Sequence, residues 1–430
     1  MAGYRFEPLV IVLVALAALP ILNVTGPQDI TRYELTRHLV QHGTLTVERG
    51  LFDRAEFGGR TYSDKAPGMS FLAVPAFELE RVVGVAKPPY EWRADGDRSL
   101  WLIHVLTSGL LFLAAVVVVG RLAERIAPGT GAASAATFGV ATLAMPLAPS
   151  FFEHDSAAAL GIGAFALAHR GRAPRLALAG LCAGTAVLFQ YATALVVVAL
   201  AAYCVWLFGR AVLWYLLGAV PPVIALGAYD WVAFGSPFHL SYRYVANPFT
   251  ERQHHGFFGI AVPTLDGLHT VLVGNRGLLV FSPVTVAAAV GLVLLWRRGA
   301  RPDALLAGAI TIAFVLLTAG YFVPYGGNSP GPRFLVPALP FLALGLPLAL
   351  RRFPWTTVTL ATISVGATVV QAVSWSIRSY KSTSWIPKRT DITKTLWTSI
   401  TPSLGGGALI VLCSALAALA VGVFALRRPA

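Results

Sequence analysis

The stretch LALAGLCAGTAVLFQYATALVVVALAAYCVWLF, Leu176 to Phe208, decides the fold. It carries no charged residue, and its length fits either one overlong span or two short ones. Both flanks are basic: HRGRAPR (His169 to Arg175) precedes it and Arg210 follows. Arginines in short loops mark the cytoplasmic side of a membrane. An even number of crossings therefore separates the two flanks. The stretch reads as two spans, with the polar pair Gln190-Tyr191 at the outer hairpin.

Working outward, apolar runs of similar length recur along the chain. Further spans are expected near residues 8–24, 100–120, 131–149, 156–168, 211–233, 277–296, 303–322, 334–350, 355–377 and 406–426, about 12 in all. The run at 8–24 resembles a signal-peptide core. It is long, however, and no convincing small-residue cleavage site follows it, so it is expected to stay as the first span. The composition agrees, with mean hydropathy +0.68, 56% hydrophobic residues and 12% charged residues. Soluble domains carry about 25% charged residues. The expected fold is an all-α polytopic membrane protein forming a single membrane domain over residues 1–430.

The net charge is +13, from 33 basic and 20 acidic residues. No basic stripe is interleaved with aromatics, so nucleic acid is not an expected partner; the arginines instead sort by side. The short loops of one side hold Arg121, Arg125, Arg170, Arg172, Arg175, Arg210, Arg297, Arg298, Arg301, Arg351, Arg352, Arg427 and Arg428. Both termini are therefore expected in the cytoplasm of a cell whose plasma (inner) membrane the chain spans. The long loops at 25–99, 234–276 and 378–405 then face outward. Seventeen of the 20 carboxylates fall on that outer side, Glu7, Glu124 and Asp303 being the exceptions. Chemistry that needs carboxylates belongs outside. Cys182, Cys204 and Cys413 all sit in apolar runs, which leaves no external disulfide framework and no cysteine zinc site.

The first outer loop is long enough to hold structure. ITRYELTRHLVQHG (Ile30 to Gly43) reads as an amphipathic helix closed by a glycine stop. GMSFLAVPAFELERVVG (Gly68 to Gly84) suits a helix lying at the membrane interface with its apolar face in lipid. Pro67 pushes the residue before it extended, which sets Asp64 and Lys65 at lipid-headgroup height.

Four outer constellations stand out. In GPQDITRY, Asp29 follows the first span, where a helix N-cap is the bland role. In YSDKAPG, Asp64 and Lys65 form either a solvated ion pair of small worth or a working carboxylate and cation. In SFFEHDSAA, Glu153, His154 and Asp155 crowd a short hairpin at membrane depth, where ionisable groups point to function. Consecutive helical residues do not share a face, so a metal held by His154 and a carboxylate competes with simple helix capping. In YGGNSPGPRFLVPALP, Arg333 heads a span behind an irregular turn, offering a planar fork for phosphate or merely snorkelling. Arg276 in GNRGLLVFSP repeats that theme, and the loop before it adds Tyr242, Arg243, His254 and His255 as candidate substrate contacts. A lipid-linked phosphate donor and a hydroxyl acceptor need this mixture of carboxylates and isolated cations.

The order of these motifs resembles the membrane-embedded GT-C glycosyltransferases, nearest to the group of protein O-mannosyltransferases and the lipid A aminoarabinose transferase. An apolar first span, an aspartate just outside it, an amphipathic helix and then YSDKAPG carry the resemblance. FGSPFHLSY, RGLLVFSP and GGNSPGPRFLVPALPFLAL are similar to segments of bacterial members, and the likeness runs to about residue 350. It implies inverting transfer of a sugar from a polyprenyl-phosphate donor to a lipid, glycan or protein hydroxyl on the outer face. It further implies Asp29 as catalytic base, Lys65 at the donor phosphate, and Glu153, His154 and Asp155 as a second acidic hairpin. From the residues alone, Arg333 and Arg276 are added as candidate donor-phosphate contacts, and Asp64 joins the catalytic candidates. The group's large soluble C-terminal domain has no counterpart here, and Asp29 lacks a neighbouring acid. A divalent metal cofactor therefore stays open. The competing class is a transporter or flippase of lipid-linked sugars, which about 12 spans fit equally well; it predicts midplane charges on broken helices and inverted repeats.

Overall fold

The computed structural model describes residues 7–22, 26–91, 98–169, 171–327, 329–374 and 404–426. Nearly all of the outer loop expected over 378–405, together with Arg170, Arg427 and Arg428, lies outside them. The protein is a multi-pass bundle of apolar helices. Among the described residues, Ser99–Ile126, Tyr191–Phe234, Arg301–Gly320, Arg333–Arg352, Pro354–Val373 and Gly407–Ala425 are each long and apolar enough to cross a bilayer.

The span expected over 277–296 is bent near its start. Leu265–Phe281 and Val284–Arg297 meet at 93°. Pro283 caps the second helix, and its missing N–H and fixed ring explain why the first helix cannot run through. Three expected spans are shorter apolar helices, Pro8–Ala18, Gly131–Ala141 and Ala173–Phe189. At 1.5 Å per residue they cover about 16–26 Å, less than the ~30 Å core. The run expected at 156–168 lies in the 15-residue helix His154–Ala168.

Leu176–Phe208 does run out and back. Tyr191–Phe234 is one continuous helical run of 44 residues, yet the Tyr215 hydroxyl donates to the Val197 carbonyl at 3.1 Å. In a straight helix those residues would stand about 27 Å apart. The fold-back occurs at Gly209, whose φ of +52° suits a residue without Cβ. Phe208 packs against Gly171, so the two basic flanks share one end of the bundle. Gln190 meets His154 at the other end, 3.2 Å apart. Ala173–Phe189 and Val212–Phe234 touch backbone to backbone: a Cβ on Gly180 or Gly218 would fall 1.8 Å from the facing Tyr215 or Ala177 carbonyl. Small residues are what permit such an approach between membrane helices.

The first polar segment forms the cap over the Gln190 end. The amphipathic helix is Pro27–His42, and Gly43 ends it with φ +63° as the glycine stop requires. The second segment breaks into Gly68–Leu72 and Val74–Val82, with Pro75 opening the second piece. It buries Met69, Ala73 and Phe77 in protein, against Tyr33, Leu100 and Phe151. Phe71, Leu79, Val82 and Val83 remain outward. Between them lies a hairpin with no counterpart in the sequence reading, Ala55–Phe57 paired with Arg60–Tyr62 through a Gly58-Gly59 turn at positive φ. The hairpin carries the later loop with it: Ala55 bridges Val245, and the Ala246 amide donates to the Arg54 carbonyl at 2.9 Å.

Candidate active site

The cap and the helix ends beneath it enclose a cavity of about 620 Å³, within the ordinary range for ligand sites. Asp29, Asp64, Lys65, Glu153, Tyr242 and Arg333 all line it, from five separate stretches of the chain. Asp53, Gln253, Tyr321 and Tyr325 line it too, and none was singled out by sequence.

Asp29 sits in the first turn of Pro27–His42. Its Oδ2 accepts from the Gly26 amide at 2.8 Å, which closes the helix start as a cap does. Its Oδ1 accepts from the Phe151 amide at 3.0 Å, 122 residues away. Asp29 is thus a cap and a cavity residue at once. Burial drives its pKa up from 3.8 to about 6, against the opposing pull of the Gly26 amide and Arg32.

Lys65 is gripped by two carboxylates. Its Nζ donates to Asp64 Oδ2 at 2.9 Å and lies 3.3 Å from Asp53 Oδ2. Burial alone would discharge the ammonium, but Asp53 and Asp64 outweigh it and hold Lys65 well above its ordinary value. Asp64 is pushed up to about 6 by burial, with Lys65 pulling it down and Asp53 pushing it up. The Asp64 carbonyl accepts from Ser241 Oγ at 2.9 Å, which fastens this pair to the later loop.

The Phe152-Glu153 dipeptide organises the other wall. Glu153 takes an ion pair from Arg32, both side chains almost wholly buried. Burial would raise the Glu153 pKa, but Arg32, His154 and Arg333 overcome it and bring it down to about 2. The Phe152 ring lies 4.6 Å from the Arg333 guanidinium and 5.9 Å from that of Arg32, both within cation–π reach. Arg333 also lies 5.4 Å from Phe334, and its Nε has no hydrogen-bond partner. A buried donor without an acceptor is the kind of group that an anionic ligand satisfies.

Other expected residues fall elsewhere. His154 is fully buried, turned to Gln190 and to the Phe334 ring 5.5 Å away, and it does not line the cavity. Asp155 is buried apart from it, with Oδ2 unpartnered. Arg276 donates to the Ser329 carbonyl at 3.1 Å and stands behind Tyr325, whose hydroxyl accepts from its amide. Arg243, His254 and His255 are exposed and outside the lining. Glu153, His154 and Asp155 do not converge as a ligand set. Among the described residues, the group with metal-ligand spacing is Glu34, His38 and Glu48, away from the cavity. Arg37 already donates to Glu34 at 2.6 Å and to Glu48 at 2.5 Å there.

No family model matches the chain, and no curated protein matches it in sequence. Solved structures do. ArnT from Cupriavidus metallidurans in the apo state superposes with TM-score 0.53 at 17% identity, covering 98% of this chain and 76% of that one. ArnT bound to undecaprenyl phosphate gives 0.51 at 16% identity with the same coverage. The Archaeoglobus fulgidus oligosaccharyltransferase in the apo form gives 0.47 at 11% identity, over 96% of this chain and 56% of that one. At these identities the likeness is one of architecture: the chain shares the membrane fold of ArnT.

Proposed function

We propose that this chain is a glycosyltransferase that moves a sugar from a polyprenyl-phosphate donor to an acceptor hydroxyl on the outer face of the membrane, with inversion. The observation that carries the reading is the shared cavity: the carboxylates Asp29, Asp53 and Asp64 and the cations Lys65 and Arg333 all line about 620 Å³ of space. A related argument comes from the ArnT fold, one of whose structures holds undecaprenyl phosphate.

In this mechanism Asp29 takes the proton from the acceptor hydroxyl as its oxygen attacks the anomeric carbon. The bond from that carbon to the phosphate oxygen breaks, and the electron pair leaves on the polyprenyl phosphate. Preorganised cations lower the cost of that growing charge, most in a site that excludes water. Lys65 and Arg333 fill this role, with Asp64 orienting Lys65. Two hydrogen bonds from backbone amides fix the Asp29 carboxylate in place. Burial lifts its proton affinity into the range useful to a base near neutrality. Tyr242 lines the cavity beside Lys65 and is assigned to the sugar. The acceptor is a lipid, glycan or protein hydroxyl, and the chain's outer side is taken to be the capped end of the bundle.

The test is purified protein given a panel of radiolabelled polyprenyl-phosphate sugars, scored for transfer or hydrolysis. Turnover with at least one donor is expected. No turnover with any donor, together with counterflow of the labelled lipid across proteoliposomes, would establish a transporter instead.

A further inference from the structure

A second cavity, of about 360 Å³, lies at the arginine-rich end of the bundle. It is lined by Leu122, Arg125, Phe165, His169, Arg298 and Asp303, among others. Its floor is apolar and tightly packed, with Leu122, Phe165, Leu295 and Leu344 all buried. Its rim is cationic, and Arg125 and Arg298 are exposed there.

The charges at this end do not cancel. Asp303 is the carboxylate in the lining, and it is already engaged: Tyr203 donates to its Oδ1 at 2.7 Å, and His169 Nδ1 stands 3.6 Å from the same oxygen. Glu124, a second carboxylate at this end, accepts from the Gly129 and Gly131 amides at 2.7 and 2.9 Å. Three neighbouring arginines outside the lining have partners. Arg301 lies over Trp296, Arg352 over Phe353, and Arg351 donates to the Pro128 carbonyl. Among the described residues, Arg125 and Arg298 have neither a hydrogen-bond nor an ion-pair partner. Two guanidinium forks thus share a cavity whose lining carboxylate, Asp303, is already engaged. Guanidinium matches phosphate oxygens in a bidentate geometry.

We propose that this cavity binds the headgroup of an anionic phospholipid, its phosphate between Arg125 and Arg298. The apolar floor decides for a lipid over free phosphate. Phe165, Leu295 and Leu344 give an inorganic ion nothing, whereas they accept the glycerol backbone and first methylenes of a lipid. The location agrees, since the cavity sits where membrane helices end, and basic pockets at such ends recognise acidic headgroups. Asp303, held back by Tyr203 and His169, keeps the arginines available.

Delipidated protein in detergent is titrated with phosphatidylglycerol, with phosphatidylcholine of the same chain length, and with inorganic phosphate; bound species are counted by native mass spectrometry. Saturable binding of phosphatidylglycerol is expected, with weaker binding of phosphatidylcholine and none of phosphate alone. At roughly a fivefold contribution per basic side chain at a membrane surface, R125Q/R298Q should weaken it roughly 30-fold. The charge-matched control R210Q/R297Q, exposed at the same end but outside the lining, should stay near wild type. Arg298 caps a helix from the surface, so R298Q alone supplies a folded variant with about a fivefold loss. Equal losses in both double variants would reduce the effect to bulk surface charge. Equal binding of both lipids would reduce the site to an apolar patch, and tight binding of phosphate alone would make it a free-anion site. Each of these overturns the proposal, and because the assay reads binding, none bears on glycosyl transfer.

Discussion

Asp29→Asn should move activity and stability in opposite directions. Burial raises the Asp29 pKa from 3.8 to about 6, so the folded state binds a proton more tightly than the unfolded chain. The stability from that proton is complete below the unfolded value and is lost as pH rises through 6. A shift of about 2 units amounts to about 3 kcal/mol. Asparagine is neutral throughout, so it escapes this loss at pH 8. It cannot, however, accept from both the Gly26 and Phe151 amides, and one unmatched donor costs about 1–2 kcal/mol. The variant should therefore be about 1–2 kcal/mol more stable than wild type at pH 8 and less stable at pH 4. Turnover should fall about 10²–10⁴-fold, the usual worth of a general base, with donor binding little changed. Wild-type turnover should decline as pH drops through about 6. Thermal unfolding in detergent at both pH values and a transfer assay check this. An equal stability difference at pH 4 and pH 8 refutes the burial argument. Nearly full turnover in Asp29→Asn, with Asp64→Asn dead, moves the base to Asp64.

Lys65→Met and Arg333→Met should each abolish transfer, and Lys65→Met should also lower thermal stability because it leaves Asp53 and Asp64 without their cation. Loss of a charged phosphate partner in a desolvated site costs roughly 2–5 kcal/mol, read mainly in donor affinity for Arg333→Met and mainly in turnover for Lys65→Met. Arg32→Gln removes the direct ion-pair partner of buried Glu153 and should destabilise the fold by about 3–5 kcal/mol, whereas Arg32→Gln with Glu153→Gln should recover most of it in thermal unfolding. A cysteine in place of Arg60, exposed on the hairpin, should be labelled from outside by a membrane-impermeant maleimide. Labelling only after permeabilisation would invert the topology.

What the sequence exposed depended on the kind of signal each residue carries. Leu176–Phe208 was readable because charge sidedness and apolar length are local properties, and Gly43 marks its helix stop by needing positive φ; the turn glycine Gly209 went unread. The corner at Pro283 was hidden, since Leu278–Phe281 and Val284–Arg297 are apolar on both sides of the bend and hydropathy averages across it. The Ala55–Phe57 hairpin was equally hidden: three-residue strands leave almost no alternation to detect, although Gly58-Gly59 between them is a turn signal.

The site divides along the same line. Asp29, Lys65, Glu153 and Arg333 were noticeable because each is a charge beside an apolar run. Asp53 and Arg32 were passed over because their neighbours in sequence are ordinary, and only the fold puts Asp53 3.3 Å from Lys65 and Arg32 on Glu153. These two change the electrostatics most. Without Asp53, Lys65 would be one cation tethered to one carboxylate. With it, the ammonium is held between two anions, so a donor phosphate competes for a lysine that is already satisfied. Arg333 is in the opposite state, buried with Nε unpartnered and its charge facing aromatic rings. In the proposed reaction the first grip on the phosphate therefore falls to Arg333, and Lys65 adds its share as charge builds on the leaving oxygen. Binding that depends on Arg333 and turnover that depends on Lys65 would be the signature of that division. Donor affinity measured beside turnover in Lys65→Met and Arg333→Met separates the two. An equal loss of affinity in both variants would refute it.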